Sequence, residues 1–200
     1  MPMMLLPFII ILLSLFSLFR NRSHRSIQES RESFWEKEQR ANQTRKQDIS
    51  SLSYIQIPLD TFPGGQYQDP KLHELEQTLE TLSTRRILNL TGISNTDLKL
   101  QYGAANLNIL SDCDANFTTL ARTLAAYGEQ LAALGYWQDA IRVLEFGISC
   151  GTDISKNYTL LGSLYKEHGK TAQLNSLIET VKNTDLLLKD SILQQLQTSG

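Results

Sequence analysis

The sequence predicts an all-α protein, a solenoid of helical hairpins behind one N-terminal transmembrane helix. Three observations carry that expectation. Residues 121–192 read twice with a period of 34. Apolar residues through most of the chain recur at spacings of three and four, the helical period, rather than two. Met3–Phe19 contains no charged side chain at all.

The apolar start comes first. Seventeen helical residues rise about 26 Å, close to the ~30 Å of a bilayer's hydrocarbon core. Pro7 falls in the first turns of that run, where a missing N–H costs little. A cleaved signal peptide needs a basic start and small residues at its end. Here Leu18, Phe19 and Arg20 stand in place of small residues. Residues 1–19 are therefore expected to be a retained anchor. Arg20, Arg22 and Arg25 crowd its C-terminal flank, and positive flanks stay in the cytoplasm. The expected location is the cell membrane, single-pass, with residues 20–200 facing the cytoplasm. On that side the triplets at Asn21, Asn42, Asn89, Asn116 and Asn157 are inert as glycosylation signals.

Residues 20–52 read as a basic, helical juxtamembrane stalk. Over 20–48 there are eight Lys/Arg against five Asp/Glu. Glu36 and Arg40 are spaced for a helical ion pair. Ile27, Phe34 and Ala41 form a thin apolar stripe, too short for a convincing coiled coil. The other reading is a solvated stalk with Phe34 and Trp35 near the lipid headgroups. Residues 53–69 read as an extended linker lying on the helical domain. There Ile55, Ile57 and Leu59 alternate with polar residues or proline, and Gly64-Gly65 supplies a turn.

The helical domain spans 70–200. Asp69-Pro70 is a helix start, a capping carboxylate before a first-turn proline. Leu72, Leu75, Leu79 and Leu82 define its buried face, and Arg85–Arg86 suit its end. Ile87–Leu100 reads as a loop with embedded apolar residues, leading into a helix over about 96–110. Asp112-Cys113-Asp114 then reads as a cap for a long helix over about 115–134, carrying Phe117, Leu120, Leu124, Tyr127, Leu131 and Leu134. Trp137–Ile148 follows, with Ala140, Ile141, Leu144 and Ile148 inward. Asp153 or Ser155 is expected to cap the next helix, which ends at Gly169. After a helix over Thr171–Lys182, Asp185 is expected to cap a last one carrying Leu186, Leu187, Ile192, Leu193 and Leu196.

The repeat is specific in places. Leu124, Gly128, Leu131, Gly135, Ala140, Leu144 and Gly147 return as Tyr158, Gly162, Tyr165, Gly169, Leu174, Ile178 and Val181. This pattern resembles the tetratricopeptide repeat (TPR), a helix–turn–helix unit of that length. Leu174, Gly147 and Thr152 depart from the family's small and proline positions. The apolar start, Phe34–Trp35 and Tyr54–Asp60 also look like parts of a bacterial single-pass membrane-anchored family, a resemblance that implies no activity.

The TPR-like resemblance implies a protein-binding surface, because the first helix of each pair lines the concave face in that family. Carried over, it places Arg122, Ala125, Ala126 and Glu129 on the groove in one repeat. In the next it places Lys156, Thr159, Leu160, Ser163 and Lys166. A small-walled groove with basic edges suits an extended peptide bearing a carboxylate.

Chemistry is otherwise thin. His24, His73 and His168 lie far apart in the sequence, as do Cys113 and Cys150, so neither a metal spacing nor a disulfide framework is predicted. No phosphate loop or hydrolase motif occurs. Residues 49–200 hold eleven Lys/Arg against sixteen Asp/Glu, a balance that disfavours nucleic acid. No cofactor and no catalysis are expected. The expected function is a membrane-tethered scaffold or adaptor for a protein or peptide partner, of undetermined oligomeric state. The alternative is an enzyme or small-ligand sensor with a pocket near residues 87–100.

Overall fold

A computed structural model describes residues 31–198. They are all-helical, and no strand occurs among them. The helices are α1 (residues 31–43), α2 (Pro70–Ser83), α3 (Asn95–Tyr102), α4 (Leu107–Ala133), α5 (Trp137–Ser149), α6 (Ser155–Glu167), α7 (Thr171–Asn183) and α8 (Lys189–Thr198). The anchor expected at residues 1–19 lies outside the described residues, as do Ile27 and the flanking arginines. Among the described residues, no helix is long and apolar enough to cross a membrane.

The described chain forms two compact units, residues 31–50 with Ile93–Asn108, and Ser51–Gly92 with residues 109–198. In the smaller one, α1 packs on α3 through Lys37–Asp97 (2.6 Å) and through Glu38, which meets both Lys99 and Thr96. Glu38 and Lys37, rather than Glu36 and Arg40, carry the ion pairs of α1. Residues 31–50 are thus part of a packed body. Phe34 and Trp35 are exposed and touch edge to face, while Ala41 is fully buried.

In the larger unit, helix boundaries recur at the sequence period. From Trp137 to Thr171 is 34 residues, and from Ser155 to Lys189 is again 34. α6 packs on α5, α7 and α8, and α8 packs on α6 and α7. Leu124, Tyr127, Leu131, Ala140, Val143 and Leu144 are fully buried in one apolar core with Tyr158, Leu161 and Ile192. Each large aliphatic side chain so buried contributes roughly 1.5–3 kcal/mol.

Gly128 explains one close approach. A Cβ there would sit 2.6 Å from Leu144 Cδ2, so α4 and α5 meet only over a missing side chain. The matching Gly162 makes room instead for Leu196 of α8. The two repeat glycines therefore do the same job against different partners.

Of the segment 53–69, expected to be extended throughout, residues 53–58 run extended over this core, while Leu59–Thr61 close into a short 3-10 helix followed by a turn at 62–65. Ile55 N–H bonds Ile87 O (3.0 Å), and Ile55, Ile57 and Leu59 pack half-buried on the cluster. Side chains then fasten it. Tyr67 Oη donates to Asp139 Oδ2 (2.7 Å), and Arg142 reaches both Asp139 and Thr61 O (2.8 and 2.9 Å). Asp69 caps α2 by accepting from Leu72 N (2.9 Å), with Pro70 beside it.

Four local expectations are corrected. The helix expected over 96–110 is two helices, broken at Gly103, whose φ is +87°. Asp112 and Asp114 do not cap α4, because its apolar stripe begins earlier, at Leu110 and Cys113, and propagates through them. Asp114 instead accepts from Leu90 N (3.1 Å), tying down the apolar loop. No side chain caps α6; Thr152 Oγ1 accepts from Ile154 N one residue too early. Asp185 does not cap α8, which starts at Lys189. Leu186 turns into the core and leaves Leu187 99% exposed in the connection.

Candidate functional site

The face made by α4 and α6 gathers most of the residues expected to bind a partner. Periodicity places them there. Arg122, Ala126 and Glu129 stand on α4 at spacings of four and three. Lys156, Leu160, Ser163 and Lys166 repeat that spacing on α6. Side chains three or four apart share one helix face. The opposite faces hold Leu124, Tyr127 and Leu131, and Tyr158, Leu161 and Tyr165, in the core.

The structure joins this set across the helices. Lys156 Nζ lies 2.6 Å from Glu129 Oε1. Lys166 Nζ donates to the Gln195 carbonyl on α8 (3.3 Å). Ser163 Oγ donates to Thr159 O within α6 (3.0 Å). Leu160 and Ala126 are half-buried and present modest apolar area. Arg122 is exposed and makes no ion pair among the described residues. Of the basic edges expected for the groove, Lys156 is thus answered by Glu129. Both partners of the Lys156–Glu129 pair are about half exposed, at 56% and 46%. Such a pair is worth at most about 1 kcal/mol, so an incoming carboxylate can exchange with Glu129 at little cost.

A concavity opens elsewhere on the larger unit. It holds about 380 Å³ between α5, α6 and α7, lined by Glu145, Ile148, Tyr165, Ser176, Leu177 and Thr180 among others. Tyr165 Oη donates to Glu145 Oε1 (2.5 Å) at its wall. Burial first, then that carboxylate, pushes the phenol well above its ordinary value. A hollow of about 450 Å³ beside α1 is bordered by Glu36, Gln39, Arg40 and Gln43. None of these linings includes a residue of 87–100. Two polar residues of that stretch have structural partners. Asn89 Nδ2 donates to Cys150 O and Gly151 O (3.1 and 2.9 Å), and Ser94 caps α3 through Asp97 N.

The remaining chemistry-bearing side chains are dispersed. His73 bonds Gln77 within α2 (2.9 Å), and His168 stacks on Trp137 (centroids 3.9 Å). Cys113 and Cys150 are free thiols, and burial raises both, Cys150 to about 11. Among the described residues, no three His, Cys, Asp or Glu side chains gather as a metal would need.

Sequence reasoning did not single out Glu76 of α2. It is 8% exposed and accepts from Tyr127 Oη and Gly65 N (2.9 and 3.1 Å). It sits at i+4 from Leu72 and i−3 from Leu79, inside the buried stripe, and that spacing was the available signal.

Comparison of the chain with protein-family models, with curated proteins and with solved structures finds no match.

Proposed function

We propose that this protein is a membrane-tethered scaffold whose TPR-like helical pairs bind a protein or peptide partner along the α4–α6 face. The observation that carries the reading is the ion pair that joins the candidate positions of α4 to those of α6. Lys156 of α6 pairs with Glu129 of α4 at 2.6 Å, and Arg122 makes no ion pair among the described residues. Helix boundaries that return every 34 residues support the repeat reading. The face offers what an extended acidic peptide needs: a cation at one end, an exchangeable ion pair in the middle, and small or half-buried side chains between.

In this reading the apolar run Met3–Phe19 anchors the chain in the cell membrane, and its arginine flank keeps the helical body in the cytoplasm. Tethering raises the local concentration of a recruited partner at the membrane without any new contact. The test is affinity purification of the full chain from membranes, beside the variant Arg122→Glu, Lys156→Glu. A partner retained by the parent and depleted several-fold from the folded variant supports the reading. Equal recovery of every co-purifying protein removes the α4–α6 face from it.

A further inference from the structure

Glu76 has no role on the α4–α6 face, and its surroundings are unusual for a carboxylate. It is more than nine-tenths buried, yet no cation pairs with it among the described residues. Burying a carboxylate without a positive partner is costly. Its two donors, the Tyr127 phenol and the Gly65 amide, are neutral. A carboxylate offers about four acceptor positions, so about half of its capacity is unused by these bonds.

Glu76 also borders a cavity. About 50 Å³ of space lies between Leu59, Phe62, Glu76, Leu79, Glu80 and Tyr127, with Gly64 at its border. One water needs roughly 10–15 Å³ in this measure. The space therefore takes an ammonium with its last methylenes, and little more. Its walls are mainly aromatic and aliphatic, with Phe62 and Tyr127 edge to face at 6.4 Å. Glu80, one turn along α2, brings a second carboxylate to the exposed rim. Gly64 leaves the approach open, since a Cβ there would meet nothing within 4 Å. Burial and Glu76 push the Tyr127 phenol upward, with no cation acting against them. A hard metal ion demands six or more oxygens, which this lining does not supply. An alkylammonium needs only a few acceptors at its head and an apolar sleeve for its stem.

We infer that the Glu76–Tyr127 cavity is a binding site for a primary alkylammonium group, either a free small amine or the side chain of a partner's lysine. The ammonium bonds Glu76 inside, Glu80 holds it at the rim, and Phe62 and Leu59 cover its methylenes. The site is independent of the α4–α6 face.

The experiment uses the full chain in lipid nanodiscs, labelled with ¹⁵N-glycine, so that Gly64 and Gly65 report from the cavity's edge. The probes are n-butylammonium, n-butanol, Nα-acetyl-lysine amide and its Nε-acetylated form. Both ammonium probes are expected to shift Gly64 and Gly65 saturably, and the two neutral probes to leave them in place. Glu80→Gln, at an exposed position, should weaken the half-saturation roughly two- to fivefold. Glu76→Gln should weaken it roughly tenfold or more. Tighter binding of the lysine amide assigns the site to a partner's lysine, and tighter binding of butylammonium assigns it to a free amine. Shifts from the neutral probes equal to those from the ammonium probes overturn the inference. So does unchanged half-saturation in folded Glu80→Gln.

Discussion

Gly103 carries more of the smaller unit than its size suggests. Its φ of +87° lies where side chains are disfavoured, and a Cβ would collide with the Arg45 backbone carbonyl. The close approach lets Gln47 N–H reach Tyr102 O (2.9 Å), and Asn106 Nδ2 donates to both Gln47 O and Tyr102 O (2.7 Å each). Gly103→Ala should destabilise this unit by about 1–3 kcal/mol. Native-state hydrogen exchange should show faster exchange at 95–106 with little change in α5–α7. Nothing in the local pattern marked this glycine, because the carbonyl it admits is 58 residues earlier in the chain (103 − 45). The turn glycines Gly135 and Gly169 were readable, since each directly follows an apolar helical stripe.

The tyrosines set a pH limit. Tyr67 is raised to about 12, first because its hydroxyl donates to Asp139. Tyr127 and Tyr165 are raised by burial first and by Glu76 and Glu145 second. A phenol whose folded value exceeds its unfolded value of about 10 keeps its proton longer when folded. Its stabilisation is complete below pH 10 and is lost as pH climbs toward the folded value. The denaturant midpoint should therefore hold below pH 10 and fall steadily from 10 to 12. Tyr67→Phe should flatten part of that slope.

Among the elements, α4 shows how far periodicity reads. The stripe through Phe117, Leu120, Leu124, Tyr127 and Leu131 was legible and is buried as expected. Its start was not, because acidic residues at 112 and 114 resemble a cap whether or not a helix begins there. Only tertiary structure decides that Asp114 serves Leu90 instead. The last helix failed similarly: three leucines in a row at 186–188 satisfy any stripe, and only the turn after α7 selects Leu186 for the core. The paired glycines test the packing itself. Gly128→Leu must displace Leu144, and Gly162→Leu must displace Leu196. Each should cost roughly 1–3 kcal/mol by overpacking, read as a lowered urea midpoint. Because the displaced partners lie on different helices, the Gly162 variant should loosen α8 first, and the Gly128 variant the α4–α5 pair.

At the scale of the whole molecule, the all-helical architecture was legible because the 34-residue period and the apolar spacings agree with each other. The α4–α6 face was legible only as positions. The Lys156–Glu129 pair, which changes its charge, joins residues 27 apart (156 − 129) on different helices, beyond any local pattern. The membrane reading rests on composition, and protease added to intact cells checks it directly. The body should be spared while an outward-facing control is cut; digestion of residues 20–200 would reverse the orientation.

The central claim is that the partner sits on α4 and α6. Site-specific photo-crosslinking in intact membranes tests it most directly, with the reactive side chain at Leu160 or Ser163 on that face, and at Ser176 in the α5–α7 hollow. The account predicts a shared partner adduct from positions 160 and 163 and none from 176. An adduct from 176 alone would contradict it.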